Sequence, residues 1–271
     1  MTDAPVGMIP PRAAPLGARA GRARVIRPVG LVVLAVFLVL YALSIDREVL
    51  GRYGPELLSG LAITVQLVLT AVILGGLLAL PLAFARLSRN RAIGLPAYAY
   101  SYFFRGTPLL AQIFLFYYGA GQFRGALETV GLWWIVRDPY TCAVLAFTLN
   151  TAAYQSEIYR GAISAVARGQ WEGGRALGLR DHLILRKVVL PQAAVTALRP
   201  LGNEIIFMIK GSAIASVITV YDLMGETELA FSRTYNFEVY LWAAALYLAI
   251  VELLRRLWDL LERRLTRHLA R

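Results

Sequence analysis

Lysine, histidine and cysteine are scarce in this chain. Of its 28 basic residues only Lys187 and Lys210 are lysines. His182 and His268 are too few and too far apart for a metal site, and the single Cys142 cannot form an internal disulfide. No G-x-x-x-x-G-K-[ST] segment occurs, so this chain is not expected to bind ATP through a phosphate-cradling loop. No internal repeat of the kind common in secondary transporters is found either. Acidic residues number 17, leaving a net charge of +11. A basic surplus can signal nucleic acid. Here it sits in loops between apolar runs, where the cytoplasmic loops of membrane proteins carry it, so nucleic acid is rejected as a partner.

What the chain has in abundance is apolar surface. Its residues are 58% hydrophobic and its mean hydropathy is +0.58, too high for a soluble domain of this length. Residues 1–28, rich in Pro, Ala, Gly and Arg, read as a disordered basic N-terminus. Residues 29–45 read as a first, minimal span that stays in the protein, with a cleaved or interfacial segment as the alternative. Residues 57–85 are uncharged and can span with tilt. Residues 95–104 are aromatic-rich and suit the membrane interface. Thr107 and Pro108 suit an N-cap and first helical residue for a third span ending near Phe123. A fourth span covers 140–159, with Glu157 near its inner end, and a sixth covers 237–254. Beyond 257 a basic, amphipathic tail, 258–271, is expected.

The fifth segment, 193–221, is apolar but interrupted by Arg199, Pro200, Asn203, Glu204, Lys210 and Gly211. A helix facing lipid would not tolerate that set, whereas a broken helix beside a watery path would. Snorkelling of Glu204 and Lys210 to opposite interfaces is the competing explanation. With the N-terminus inside, the inner segments hold 21 basic residues: five in 1–28, four in 86–105, six in 160–187 and six in 255–271. The outer segments hold five. This bias predicts both termini, and the long loop 164–191, in the cytoplasm.

That loop is the most informative stretch. Residues 165–177 have helix-forming composition, Gly178 can stop the helix, Asp181 can cap a second one, and Pro191 limits how that one continues. Glu172-Gly173-Gly174 is followed by Arg175-Ala176-Leu177-Gly178 and, nine residues later, by Val188-Val189-Leu190-Pro191. The spacing resembles the EAA loop of ABC-importer permeases, with Gly-Gly in place of Ala-Ala and Val188 in place of Ile. Two mid-helix glycines cost about 1 kcal/mol each relative to alanine, so a loosened helix is expected. Phe104-Arg105-Gly106-Thr107-Pro108-Leu109 with Gln112 is similar to the R-G-T-P-L-x-x-Q element of polar amino-acid permeases. The run Thr148 to Tyr154, followed by Glu157 to Ile163, is similar to that family's fourth-span signature.

The resemblance, which extends to the M-type permeases of histidine/lysine/arginine/ornithine and opine uptake, implies an all-α membrane protein of the type I ABC-importer permease fold. It implies five core helices in a permease core at 57–257, with 29–45 an addition. Glu172, Gly173, Gly174, Ala176, Leu177, Gly178, Leu190 and Pro191 would couple to an ATPase. The chain would be no enzyme and hold no cofactor, since ATP and Mg would sit on separate ATPase subunits. A second homologous permease, forming a heterodimer, and a periplasmic binding protein would complete the importer in the bacterial inner membrane. Gln112, Asn150, Thr151, Tyr154, Asn203, Glu204 and Lys210 are the pathway candidates, and interhelical packing is the alternative for each. A polar, basic or opine-like amino acid is the expected substrate. Glutamine, glutamate or a non-ABC secondary transporter are the other readings, and a receptor or scaffold with a basic inner surface is a further class.

Overall fold

The computed structural model describes residues 47–266; segments 1–28 and 29–45 lie outside them. The chain divides into two compact units at Leu50 and Gly51. Of the first, Arg47–Leu50 are described, as helix, and the packing below belongs to the second. All described elements are helical.

Helix α1 (Arg47–Leu87) contains the expected uncharged run. Within it Gly75 and Gly76 let the backbone close on α6 (Pro139–Ser164). A Cβ on Gly75 would collide with the Thr151 side chain, and one on Gly76 would lie 3.0 Å from Gln155 Oε1. Helix α2 (Arg91–Gly106) starts at an Asn90 cap, whose side chain accepts from Ala92 N. It packs along α6 rather than resting alone at the interface. Ser101 Oγ lies 3.3 Å from Ser156 Oγ, and Phe104 O accepts from Asn150, so α2 rises as α6 descends.

Helix α3 (Leu109–Phe114) continues through a π turn (Leu115–Gly119) and a 3-10 turn (Ala120–Phe123). Thr107 does not cap it. Its hydroxyl donates to Phe103 O at 2.8 Å and closes α2, because the following proline leaves Thr107 in extended backbone. Two short helices, α4 (Arg124–Thr129) and α5 (Trp133–Arg137), fill the stretch before α6. Asp138 then caps α6, accepting from Thr141 N, with Pro139 as first residue.

The long loop folds as α7 (Arg168–Ala176) and α8 (Asp181–Ile184). A π turn (Leu185–Val189) leads without a break into α9 (Leu190–Gly211). Pro191 therefore does not stop the helix. It lacks an N–H and would clash with the carbonyl four residues back, and widening the preceding turn removes that conflict. The real interruption comes at Gly211, where a 3-10 segment (Ser212–Ile218) ends on Thr219 at φ 63°. Asp222 caps α10 (Leu223–Thr234) and receives Thr64 of α1 at 3.4 Å. Helix α11 (Glu238–Thr266) runs unbroken through the sixth span and the start of the expected tail.

The core gathers Leu67, Val68 and Ala71 of α1, Ile113, the face Cys142–Phe147 of α6, and Met208 with Ile209 of α9. Two stretches among the described residues, Glu48–Leu87 and Asp181–Ile218, are long and apolar enough to cross a membrane. Helices α6 and α11 have the length, 26 and 29 residues, but carry polar side chains. On α6 Asn150, Thr151, Gln155 and Ser156 are buried against neighbouring helices.

Candidate functional site

The loop presents a small exposed surface. Glu172, Gly173, Ala176, Leu177 and Gly178 all lie on it, and Leu177 is 81% exposed with no apolar cover. Gly178 turns the chain at φ +73°, which fits glycine. Asp181 does not cap α8, whose cap position is Arg180. Its carboxylate instead takes both Arg175 Nε at 2.9 Å and Nη2 at 3.2 Å, a two-pronged bridge across the Gly178 turn. That hydrogen-bonded guanidinium holds the Asp181 carboxyl below its ordinary range.

Gly174 is the exception on α7, because it faces inward. A Cβ there would stand 2.7 Å from Ile184 Cγ1, and Ile184 is fully buried. The glycine pair thus does not simply loosen α7. Gly173 has open space around it, while Gly174 permits α7 to close on α8. Leu190 is half-buried and Pro191 exposed at the start of α9, where Gln192 reaches Gln170 of α7 at 3.4 Å.

The pathway candidates separate into three groups. Gln112, 1% exposed, donates to Phe104 O and Thr107 Oγ1 and accepts from Asn150 Nδ2 at 3.0 Å. Both amides are used to fasten the end of α2 to α3 and α6, and neither lines an open cleft. Tyr154 is half-buried with the Arg105 guanidinium 5.4 Å above its ring. Arg105 also stands 3.9 Å from Glu157, which pairs with Arg86 at 3.0 Å and Arg160 at 2.8 Å. The R-G-T-P element and the fourth-span signature thereby meet at one carboxylate joining α1, α2 and α6.

Thr151 and Glu204 form the second group. Thr151 Oγ1 donates to Glu204 Oε1 at 2.9 Å and accepts from Gln155 Nε2 at 3.2 Å. Gln155 also donates to Val72 O, and its Oε1 accepts from the Tyr159 hydroxyl at 3.1 Å. Glu204 is 8% exposed, and no basic group among the described residues lies within salt-bridge distance. With Gln155, Tyr159 and Trp258 it lines a cleft of about 380 Å³ between α1, α6, α9 and α11.

Asn203 and Lys210 form the third group, on the exposed face of α9. Lys210 finds the Phe207 ring at 4.9 Å rather than Glu204. Asn203 lines a separate crevice against α11. Gln155, Tyr159 and Trp258 were not expected from the sequence. The first two carry a legible signal, since Thr151, Gln155 and Tyr159 recur every four residues and share one helix face. Trp258 had none, because its position depends on how α11 crosses α9.

A helical membrane chain with this cleft and an exposed helical loop has the architecture of type I ABC-importer permeases. An inward-facing MetNI methionine ABC transporter shares the fold at a TM-score of 0.67 and 19% identity, covering 82% of this chain and 100% of that one. The chain belongs to the family of binding-protein-dependent transport system inner membrane components, whose model matches residues 71–267. It is 44% identical over 225 residues to the nopaline transport system permease protein NocM of Agrobacterium fabrum, covering 83% of this chain and 93% of that protein. It is 38% identical over 231 residues to the histidine/lysine/arginine/ornithine transport system permease protein HisM of Salmonella typhimurium, covering 82% and 98%. The solved structure of an amino acid ABC transporter with histidines superposes at a TM-score of 0.74 with 38% identity, covering 82% of this chain and 99% of that one.

Proposed function

We propose that this chain carries a cationic amino acid, or an opine-like derivative of one, inward across the bacterial inner membrane as one permease of an ATP-driven importer. ATP and Mg sit on separate ATPase subunits that engage the α7–α8 loop. A second, homologous permease completes the membrane unit, and a periplasmic binding protein delivers the substrate. Both termini face the cytoplasm.

The observation that carries the substrate reading is Glu204. A carboxylate taken out of water with no cation in contact with it costs several kcal/mol. A guanidinium or ammonium entering the cleft repays that cost, whereas a neutral side chain does not. Tyr159 lines the same space, Thr151 holds the Glu204 carboxylate from behind, and Val72, Ile73 and Leu77 make the opposite wall apolar. The relatives transporting nopaline and histidine/lysine/arginine/ornithine support the same chemistry.

The helical path from loop to cleft is continuous. From Leu190 to Glu204 is 14 residues of one helix, about 21 Å at 1.5 Å per residue. A push on α7 and α8 therefore reaches Glu204 as the displacement of a rod, and each end of the cycle stabilises a different placement of that rod. Glu204→Gln keeps the shape and removes the charge. In proteoliposomes holding the complete importer, arginine uptake is expected to fall at least tenfold while neutral amino-acid uptake holds. Equal loss for both, or no loss for either, sinks the assignment.

A further inference from the structure

Trp258 forms a wall shared by two spaces. On one side lies the cleft of Glu204. On the other is a crevice of about 260 Å³ lined by Arg199, Asn203, Arg255, Asp259 and Glu262. The residues of α9 alternate between them: Leu201, Glu204 and Ile205 face the cleft, while Gly202, Asn203 and Ile206 face the crevice. The indole is seated between the two sets. Its Nε1 donates to Leu198 O at 2.8 Å. It rests on Gly202, where a Cβ would lie 2.5 Å from Nε1. A second tie, Arg199 Nε to Glu262 Oε1 at 2.7 Å, holds α9 to α11 beside it.

Charge is arranged on both sides of this wall. Glu204 has no ion-pair partner in the cleft. In the crevice Arg199 is taken by Glu262 and Arg255 by Glu252, and Asp259, attracted by Arg255, forms no salt bridge within 4 Å among the described residues. A carboxylate outside any close ion pair thus lies on each side of one indole, whose π face attracts cations. The crevice sits at the basic end of α11, beyond the apolar run that ends at Leu254.

We propose that Trp258 is a gate residue through which a cationic amino acid passes from the Glu204 cleft to the Asp259 crevice. The proposal rests on the substrate reading of Glu204. In the described state the gate is shut by the Leu198 hydrogen bond and by the fit on Gly202. Displacing α9 relative to α11 breaks both at once, because each contact spans the two helices.

The test uses the complete importer in membrane vesicles, with Cys142→Ser and a reporter Leu201→Cys in the cleft. The vesicles are inside-out, so that the α7–α8 end faces the medium. A membrane-impermeant cationic thiol reagent is added without nucleotide. Trp258→Ala is expected to raise the labelling rate at position 201 at least tenfold. Gly202→Ala, which displaces the indole without altering it, is expected to do the same. Trp258→Phe keeps a ring without the donor and should fall between. Unchanged labelling in Trp258→Ala overturns the gate, and if that variant fails to assemble, Gly202→Ala and Trp258→Phe decide by the same criterion. L-arginine is expected to slow labelling in Trp258→Ala and not in Trp258→Ala combined with Glu204→Gln. Raised labelling in Trp258→Ala that arginine does not slow overturns the cleft reading and leaves the gate standing.

Discussion

Adjacent glycines in α7 meet different surroundings, and substitution should separate them. A Cβ on Gly173 would point into open space, so Gly173→Ala is expected to stabilise α7 by up to about 1 kcal/mol through helix propensity. Gly174→Ala places a methyl against Ile184 and is expected to destabilise by about 1–3 kcal/mol, as overpacking does. Thermal unfolding of the purified complex reads both. The same loss from the two substitutions would mean that the Ile184 contact plays no part. Adding Ile184→Val to Gly174→Ala should recover part of the loss. Glu157 shows a related economy at the residue scale. One carboxylate collects Arg86, Arg105 and Arg160, and so replaces three separate arrangements for bringing arginines near the membrane.

At the scale of elements, the loop depends on one backbone angle. Gly178 sits at φ +73° with open space around it, so a substitution there is strained by the backbone and not by crowding. Gly178→Asn tolerates the left-handed region and should keep ATPase association close to that of the parent. Gly178→Val costs about 1–2 kcal/mol in that conformation and should weaken association and uptake while leaving membrane insertion intact. Co-purification of the ATPase with each variant measures this, and full association of the valine variant would remove the turn from the coupling role. The neighbouring π turn acts in the opposite sense. By accommodating Pro191 it keeps α8 and α9 one mechanical piece, where a kink would have absorbed the motion.

For the whole molecule the charge asymmetry makes a prediction independent of every side-chain contact. A cysteine placed at Arg180 in a Cys142→Ser background should resist an impermeant reagent added to intact cells and react in inside-out vesicles. Ready labelling from outside would invert the topology. What the sequence determined by itself is what depends on composition and spacing along the chain. The apolar runs, the basic loops between them, the Gly178 turn and the order of the motifs are one-dimensional patterns, and they were legible as such. Gln112, Asn150 and Glu204 were legible as polar residues in apolar helices, but their partners were not. The tertiary structure spends the first two on the end of α2 and leaves Glu204 in a cleft, because each helix face is fixed by what crosses it. Thr107 and Asp181 carry good capping side chains, yet one closes the helix before it and the other pairs with Arg175. Trp258 was hidden altogether. Its meeting with Gly202 and Leu198 joins residues about 60 positions apart, and only the crossing of α9 and α11 brings that contact into being.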